Sequence, residues 1–267
     1  FIMYYHNDPL TMSGSKLISE RVEILKKVDK LIFISRWVKK RFFEGLDETL
    51  DDNTEIIYHS TNKRKKKIKK NQIIFVGKLN HSKGYDIFKD AIIKILDEYP
   101  DWNALSLGDE PRRSIYINHK RHKEYGFLDH KKTFSMLDKS EIAIVPSRWE
   151  EPFGRVSLEA TASGCATIVS NRGGLLETSK HIVSIDNIDS EKLYQNIKAL
   201  INDKIKRKKI QNLSRNNIIH LIDKNTKKID LMRANIFSKF QLNYIKNRLK
   251  IINLFNQGQK SNYRLFN

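Results

Sequence analysis

The stretch SRWEEPFGRVSLEATASGCATIVSNRGGLLE, from Ser147 to Glu177, decides the fold class. After a polar loop, the spacing of its apolar residues predicts a helix from Val156 to Ser163, closed by Gly164. A continuous apolar run from Ala166 to Ser170 then predicts a buried strand. A loop, a helix and a buried strand in this order are the repeating unit of an α/β protein with a parallel sheet.

The same alternation extends to both sides of this stretch. The sequence predicts strands at 73–76, 102–107 and 142–145 and helices at 86–96, 131–138 and 190–201. This spacing predicts parallel strands joined by right-handed crossovers. Ligands of such sheets bind beyond the carboxyl ends of the strands. One crevice is therefore expected to be shared by the loops that begin at Gly77, Gly108, Pro146 and Ser170.

The region before residue 72 predicts a second, smaller α/β unit. Its predicted strands are 1–5, 30–35 and 55–58, and its predicted helices are 15–28 and 36–45. Because the opening FIMYY reads as a strand already under way, we expect the chain to begin inside a domain. The predicted division is an incomplete N-terminal α/β domain with its linker (1–71), an α/β domain (72–205) and basic helices (206–267).

Composition excludes several classes of protein. With 267 residues and 39% hydrophobic content, the chain has enough apolar material for one large or two modest domains. No apolar run reaches the roughly 18 residues of a membrane span, and the start lacks the pattern of a signal peptide. The single cysteine, Cys165, excludes a disulfide framework and a thiolate-rich zinc site. It favours a reducing compartment, and we expect a cytoplasmic protein.

The net charge of +19 is concentrated in two places. Residues 63–71 contain seven Lys or Arg, and residues 201–267 contain 16 against three acidic residues. In the tail, lysines alternate with apolar residues, notably from Ile245 to Phe255, as in a basic amphipathic helix. Three interpretations stay open: a solvated helix face, peripheral contact with an anionic membrane, and nucleic-acid binding. The near-neutral middle of the chain and the lack of aromatics in the run from Lys63 to Lys70 argue against nucleic acid.

Two loops contain residues suited to an activated sugar. The first, GKLNHSKGYD, places Gly77, Lys78 and Lys83 near a helix entry, where lysines and the helix dipole can neutralise a diphosphate. The second holds Glu151 in the loop and Glu159 one turn into the next helix, where carboxylates can accept hydrogen bonds from sugar and ribose hydroxyls. Taken singly, each residue is as well explained by an ordinary surface role, so the prediction rests on their combination.

Glu151 and Glu159, set in EPFGRVSLEATASGCATIVSNRGGLLE, resemble the E-x7-E motif of glycosyltransferase family 4, retaining enzymes with the GT-B fold. FVGKLNHSKGYDIF resembles the donor loop of that family, and EYGFLDHKKTFSML resembles its loop and helix over the nucleobase. LSLGDEPRR resembles its Gly-Asp-Gly-Pro segment, with Glu110 in place of a glycine. In the first domain, HNDP resembles the histidine loop of the acceptor side. EIIYHSTN stands where the family has a Pro-Asn-Gly turn.

The resemblance implies a role for each matching residue. Lys78 and Lys83 would bind the donor diphosphate, with close approach allowed at Gly77. Glu159 would hold the ribose, and Leu128 would lie near the base. Glu151 would contact the transferred sugar as a catalytic residue, and His6 would reach the reacting centre from the other domain. The backbone around three further residues would bind sugar or phosphate: Phe153, Gly154 and Arg155.

The resemblance also implies an α/β architecture of two Rossmann-like domains facing a cleft, the N-terminal one (1–71) incomplete and the second (72–205) binding the donor, with the basic helices (206–267) crossing back to the N-terminal domain. It implies the reaction and its participants as well. We expect transfer of a sugar from a UDP-, GDP- or ADP-sugar to a glycan or lipid-linked acceptor with retention of configuration, in polysaccharide or lipopolysaccharide synthesis. No D-x-D motif is found, and no metal or other cofactor is expected. Two alternatives stay open: a nucleotide-sugar-binding module without transfer activity, and a nucleotide-sugar epimerase with the same fold.

Overall fold

A computed structural model describes the backbone of residues 1–112 and 114–263, and the side chains of these residues except 48–50, 248 and 251–263. Residues 1–222 form one compact unit and residues 223–267 a second. Arg113 of the segment LSLGDEPRR lies outside the described residues, as do the side chains from Ile251 to Phe255 in the predicted amphipathic tail.

The first unit begins with a small parallel sheet of three strands in the order β1-β2-β3. The strands are β1 (Ile2–Tyr5), β2 (Lys30–Phe33) and β3 (Thr54–Ile56), with helices α1 (Ile18–Lys27) and α2 (Arg36–Phe43) between them. Aromatic rings fill its core, where the ring centroids of Phe33 and Phe42 are 5.1 Å apart and those of Tyr5 and Phe42 5.4 Å apart. Aromatic and β-branched residues favour such a buried strand face.

A six-stranded parallel sheet follows, in the order β6-β5-β4-β7-β8-β9. Its strands are β4 (Lys70–Val76), β5 (Asn103–Leu107), β6 (His122–Glu124), β7 (Ser140–Val145), β8 (Ala166–Ser170) and β9 (Val183–Ile185). Its helices are α3 (Tyr85–Glu98), α4 (His130–Lys139), α5 (Arg155–Ala162), α6 (Ser190–Asn202) and α7 (Lys204–Asn216). The predicted parallel α/β fold with Rossmann-like topology is confirmed.

Alternate residues of each strand point to opposite faces of the large sheet, and helices bury both faces. Ile73 and Phe75 pack on one face with residues of α3 and α6, whereas Ile74 packs on the other face with residues of α4 and α5. The apolar run Ile73–Val76 is therefore the signature of a strand covered by helices on both sides.

The second unit is formed by helix α8 (Ile222–Tyr263), of which Ile222 is the last residue of the first unit. Several apolar side chains along it are largely exposed, among them Leu231, Phe237 and Phe240. Within the described residues, no helix is long and apolar enough to span a membrane.

The predicted element boundaries differ from the observed ones mainly at their ends. Helix α1 begins at Ile18 instead of residue 15, and β4 begins at Lys70 instead of residue 73. The short edge strands β6 and β9, three residues each, were not predicted, because they lack an apolar run. The three-part domain division stays a prediction.

Candidate active site

A cavity of about 310 Å³ lies at the carboxyl ends of the large sheet, where the sequence predicted a shared crevice. The loops that follow β4 and β7 line it, together with the turn that precedes α5. On the other side it is lined by His6 and His59, which follow the strands β1 and β3 of the small sheet. Seven predicted site residues line this cavity: His6, Gly77, Lys83, Glu151, Phe153, Gly154 and Arg155.

Lys83 and Glu151 form the central ion pair of the cavity. Lys83 Nζ donates to Glu151 Oε1 at 2.6 Å, with 31% of the lysine side chain and 14% of the glutamate side chain exposed. A half-exposed lysine with one carboxylate partner can exchange that partner for another anion of similar size. The pair therefore places a cation where a ligand phosphate has access to it.

A short 3-10 turn (His81–Lys83) fixes the position of Lys83 at the entry to α3. The side chain of Asn80 accepts a hydrogen bond from Lys83 N at 3.1 Å. Gly84 then adopts φ 69°, and a Cβ atom at this position would lie 1.9 Å from the carbonyl oxygen of Pro146. Only glycine allows this close approach of the loop after β4 to the loop after β7.

The Glu151 backbone is held by the glycine pair of the segment NRGGLLE. Gly174 N donates to Glu151 O at 2.6 Å, and Gly173 N donates to Glu150 Oε2 at 2.7 Å. A Cβ atom at Gly173 would lie 2.1 Å from Glu151 O. Because these two loops touch backbone to backbone, hydrogen bonds between them fix the backbone position from which the Glu151 side chain extends.

Helix α5 begins at the cavity wall. Gly154 precedes it with φ 103°, and Phe153 is buried at 1% exposure between the two sheets. The first N–H groups of a helix have no partner within the helix and carry a partial positive charge. Together with Lys83, the start of α5 makes this side of the cavity suited to an anion.

Glu159 lies next to the cavity but not in its lining. Its carboxylate Oε1 is 3.5 Å from Arg155 Nη2 and 3.1 Å from His130 Nε2, and its side chain is 12% exposed. Arg155 itself lines the cavity, so Glu159 is one side chain removed from it. His130 begins α4, two residues after Leu128.

The predicted residues Lys78 and Leu128 also lie outside the cavity lining. Lys78 is exposed directly after Gly77, and Leu128 is half-buried against the apolar cluster formed by β4, β5 and α4. With Glu159, these residues follow the rim of the same end of the sheet. The structure thus groups the ten predicted residues as seven in the cavity and three around it.

His59 was not predicted as a site residue. Its ring stacks on that of His6, with centroids 5.4 Å apart and planes inclined by 24°, and both rings line the cavity. Burial, followed by the nearby charges of His6 and Arg155, lowers the pKa of His59 to about 4. Burial also lowers the pKa of His6. Burial therefore favours the neutral form of both imidazoles.

The two sheets are joined beside the cavity by hydrogen bonds that the sequence did not predict. The Glu177 carboxylate accepts from the backbone N–H groups of Arg36 and Trp37, each at 2.8 Å, at the start of α2. Ser35 Oγ donates to Pro152 O at 2.5 Å. Burial and the neighbouring Glu177 carboxylate raise the pKa of Tyr58 to about 12.

Among the residues whose side chains the structure describes, no group of three or more His, Cys, Asp or Glu could hold a metal ion. The anion-binding features of the cavity are instead a lysine and backbone N–H groups. Cys165 is buried and its pKa is raised by burial, as expected for a packing residue.

Comparison with known proteins finds relatives with similar sequences. Spore coat protein SA of Bacillus subtilis is 29% identical over 228 residues, which cover 79% of this chain and 57% of that protein. The putative glycosyltransferase YtcC of Bacillus subtilis is 26% identical over 226 residues, 71% of this chain and 54% of that protein. The chain thus spans little more than half the length of these relatives.

The fold has similar solved structures. Anabaena Alr3699/HepE, solved in complex with UDP-glucose, superposes with a TM-score of 0.71 at 18% identity and covers 87% of this chain and 72% of that one. At this identity the likeness concerns the fold, which is the GT-B arrangement of two Rossmann-like sheets around a cleft. Residues 59–217, which include the whole large sheet and most of the cavity, match the family described as Glycosyl transferases group 1. The chain belongs to this family of glycosyltransferases.

Proposed function

We propose that the protein transfers a sugar from a nucleoside diphosphate sugar to a hydroxyl of a glycan or lipid-linked acceptor, with retention of configuration. The observation that carries the proposal is the Lys83–Glu151 pair in the cavity between the two sheets, which the start of α5 also lines. It combines a cation and helix N–H groups for a departing diphosphate with a carboxylate for sugar hydroxyls.

In the proposed complex, the donor diphosphate takes over Lys83 from Glu151. The phosphate oxygens bind Lys83 and the N–H groups around Gly154 and Arg155, where Gly77 leaves room for them. Lys78 adds a second positive charge from the rim. Glu151, released from its lysine, accepts hydrogen bonds from the transferred sugar.

The nucleoside lies along the rim beyond Arg155. Glu159 binds the ribose hydroxyls, in exchange for its contacts with His130 and Arg155, and Leu128 contacts the base. Phe153 forms the wall between the donor and the small sheet. The two Glu residues of the motif thus bind opposite ends of the donor, which agrees with their eight-residue separation along α5 and its loop.

The proposed reaction breaks the bond between the anomeric carbon and the diphosphate oxygen, and the electron pair leaves with the phosphate. The acceptor oxygen forms its bond on the same face of the sugar, and its proton passes to the leaving phosphate. Lys83 and the helix N–H groups stabilise the charge that develops on the phosphate. His6, neutral and next to the reacting centre, contacts the sugar or acceptor hydroxyl.

We infer a hexose donor carried by UDP, GDP or ADP and a role in cell-surface polysaccharide or lipopolysaccharide synthesis. A structure of similar fold holds UDP-glucose, which supports a nucleotide-sugar donor. We further propose a cytoplasmic location with peripheral membrane contact through the basic tail, residues 206–267. This proposal follows from the tail's lysines and from the membrane-bound acceptors common to such pathways.

Binding of UDP-, GDP- and ADP-sugars, measured by calorimetry on the chain as it stands, tests the donor site. Glu159→Ala is expected to weaken nucleotide binding about tenfold, because a charged hydrogen-bond acceptor of the ribose is lost. Glu191→Ala, an exposed glutamate on α6, is the matched control and should bind like the wild type. Equal affinities of the two variants would remove Glu159 from the site.

Product analysis with a labelled donor separates the proposed reaction from its alternatives. Label in an acceptor product supports transfer, whereas binding without turnover identifies a nucleotide-sugar-binding module. Conversion of the donor to its epimer without any acceptor identifies an epimerase.

A further inference from the structure

A second cavity, of about 930 Å³, lies at the amino ends of the strands of the large sheet. We call it the basic groove. One wall is the connector residues 66–69, and the other is helix α7. The floor includes Trp102, Glu141 and Gly164, which lie within two residues of the starts of β5, β7 and β8. Since β4 is seven residues long, the groove lies about 20 Å from the candidate active site.

Positive charge dominates the described residues that line the basic groove. There are seven cations and one carboxylate, Glu141; the cations are Lys66, Lys67, Lys69, Lys204, Arg207, Lys208 and Arg215. The groove thus brings together the two basic segments that are far apart in sequence, the run at 63–71 and the start of residues 201–267.

Glu141 offsets only one of these seven positive charges, and its carboxylate is already bound by side chains of the groove itself. Its carboxylate accepts from Arg207 Nε at 3.2 Å, from Lys208 Nζ at 2.7 Å and from Gln211 Nε2 at 2.6 Å. Burial by itself would raise the pKa of Glu141, but these hydrogen bonds outweigh burial and hold the pKa below its ordinary value.

Three lysines of the groove remain available to a ligand. Lys66, Lys67 and Lys204 are exposed and form no ion pair with any described residue, whereas Lys69 donates to the carbonyl oxygens of Leu137 and Ser163 at 3.1 and 2.8 Å. Like charges held on facing walls repel one another, and an anionic partner removes that cost.

An exposed isoleucine stands in each of the two basic segments: Ile68 lines the groove, and Ile205 follows the groove residue Lys204 in helix α7 without lining it. Ile68 is 91% exposed and Ile205 is 85% exposed, and each is flanked by lysines, in KKIK (66–69) and KIK (204–206). Exposed isoleucines add nothing to the binding of a free phosphate or of a nucleic-acid backbone. They strengthen binding at a lipid interface, because apolar tips enter the acyl boundary while the lysines remain among the headgroups.

We propose that the basic groove, with Ile68 and Ile205, is a docking surface for a membrane that contains anionic phospholipids. The lysines bind headgroup phosphates, and the two isoleucines insert between the lipids. Nucleic acid is disfavoured as the partner because Trp102, the aromatic residue of the groove, is 5% exposed and covered by the Arg207 guanidinium at 5.2 Å from its ring centroid. This surface uses helix α7 at the start of the basic tail but not helix α8, and it is independent of the proposed transfer reaction.

Vesicle co-sedimentation of the full chain tests the proposal. The wild type is expected to bind vesicles of phosphatidylcholine with phosphatidylglycerol, more weakly as salt is raised, and not vesicles of phosphatidylcholine alone. Replacing Lys66, Lys67 and Lys204 together by Gln should weaken binding about a hundredfold, at about fivefold per lysine. The matched control replaces Lys26, Lys120 and Lys180, which lie outside the groove, and should bind like the wild type.

A second variant, Ile68→Ser with Ile205→Ser, keeps every charge and alters only side chains that are already exposed. It should weaken binding to the anionic vesicles about tenfold, because part of the apolar burial is lost. Wild-type binding by the lysine variant would assign membrane contact to the tail, and wild-type binding by the isoleucine variant would indicate recognition of phosphate alone. Either result overturns the proposal, as does a wild type that ignores anionic vesicles.

Discussion

Glu141 and Glu151 form ion pairs at opposite ends of the large sheet, and their surroundings differ. Glu141 is paired with an equally buried arginine, at 6% and 5% side-chain exposure, and accepts further hydrogen bonds from Lys208 and Gln211. Among the described side chains, the Glu151 carboxylate is paired with the half-exposed Lys83 alone, and both line a cavity. The first pair is part of the packing, whereas the second can open for a ligand without disturbing the core.

The largest effect that separates the two pairs is expected for stability. Glu141→Gln should lower the free energy of unfolding by about 3 kcal/mol, because the buried Arg207 loses its counter-charge. Glu151→Gln should lower it by less than about 1 kcal/mol, because solvent reaches Lys83. Urea unfolding of both variants measures the difference. Equal losses of unfolding free energy would show that the two ion pairs contribute equally to stability.

The next largest effect is expected on turnover, and here the change at the Lys83–Glu151 pair should matter more than the change at Glu141's partner Lys208. Lys83→Ala should lower kcat about a hundredfold, because one cation that stabilises the leaving diphosphate is lost. Its thermal midpoint should stay close to that of the wild type. Lys208→Ala, at the other end of the sheet, serves as the control and should leave the kcat of the folded protein unchanged. Unaltered turnover by the Lys83 variant would remove this lysine from the donor site.

The smallest effect is a pH dependence confined to the cavity. His59 has a pKa of about 4 in the folded protein against an ordinary value of 6.5, so the unfolded chain takes up the proton first as the pH falls. The stability contributed by neutral His59 is complete above about pH 6.5 and decreases toward pH 4, by about 1–2 kcal/mol when solvent screening of this half-buried group is allowed for.

Urea unfolding at several pH values compares the wild type with His59→Asn, which cannot take up this proton. The difference in unfolding free energy between the two proteins should shrink as the pH is lowered from about 7 to about 4.5. A constant difference would show that His59 is solvated like a surface histidine.

Much of the large sheet could be predicted because its strands are short apolar runs that end in glycine, proline or serine. The same logic placed the loops of Lys83 and Glu151 at one end of the sheet, and their convergence follows from parallel topology. The direct contact between these two side chains was not predicted, since sequence spacing does not fix how two loops approach each other. That approach depends on Gly84 and Gly173, which meet backbone oxygens of neighbouring loops.

His59 and Arg207 show why the rest was missed. His59 lies in the segment EIIYHSTN, where the resembled family has a Pro-Asn-Gly turn. It comes close to His6 because β1 and β3 lie on either side of β2 in the small sheet. Arg207 belongs to a strongly basic segment that predicts a solvated helix, yet it is buried at 4% exposure. Its guanidinium is satisfied by Glu141 and by backbone carbonyl oxygens at the end of α6, partners that no local pattern reveals.

The aromatic core of the small sheet is completed by residues from much later in the chain. Phe153, in the turn before α5, and Leu158, in α5, pack in the same cluster as Tyr5 and Phe42. During synthesis, β1 and β2 leave the ribosome about 120 residues before these partners. These two strands therefore cannot complete their core until α5 has been translated, so part of their apolar surface stays exposed in the interval.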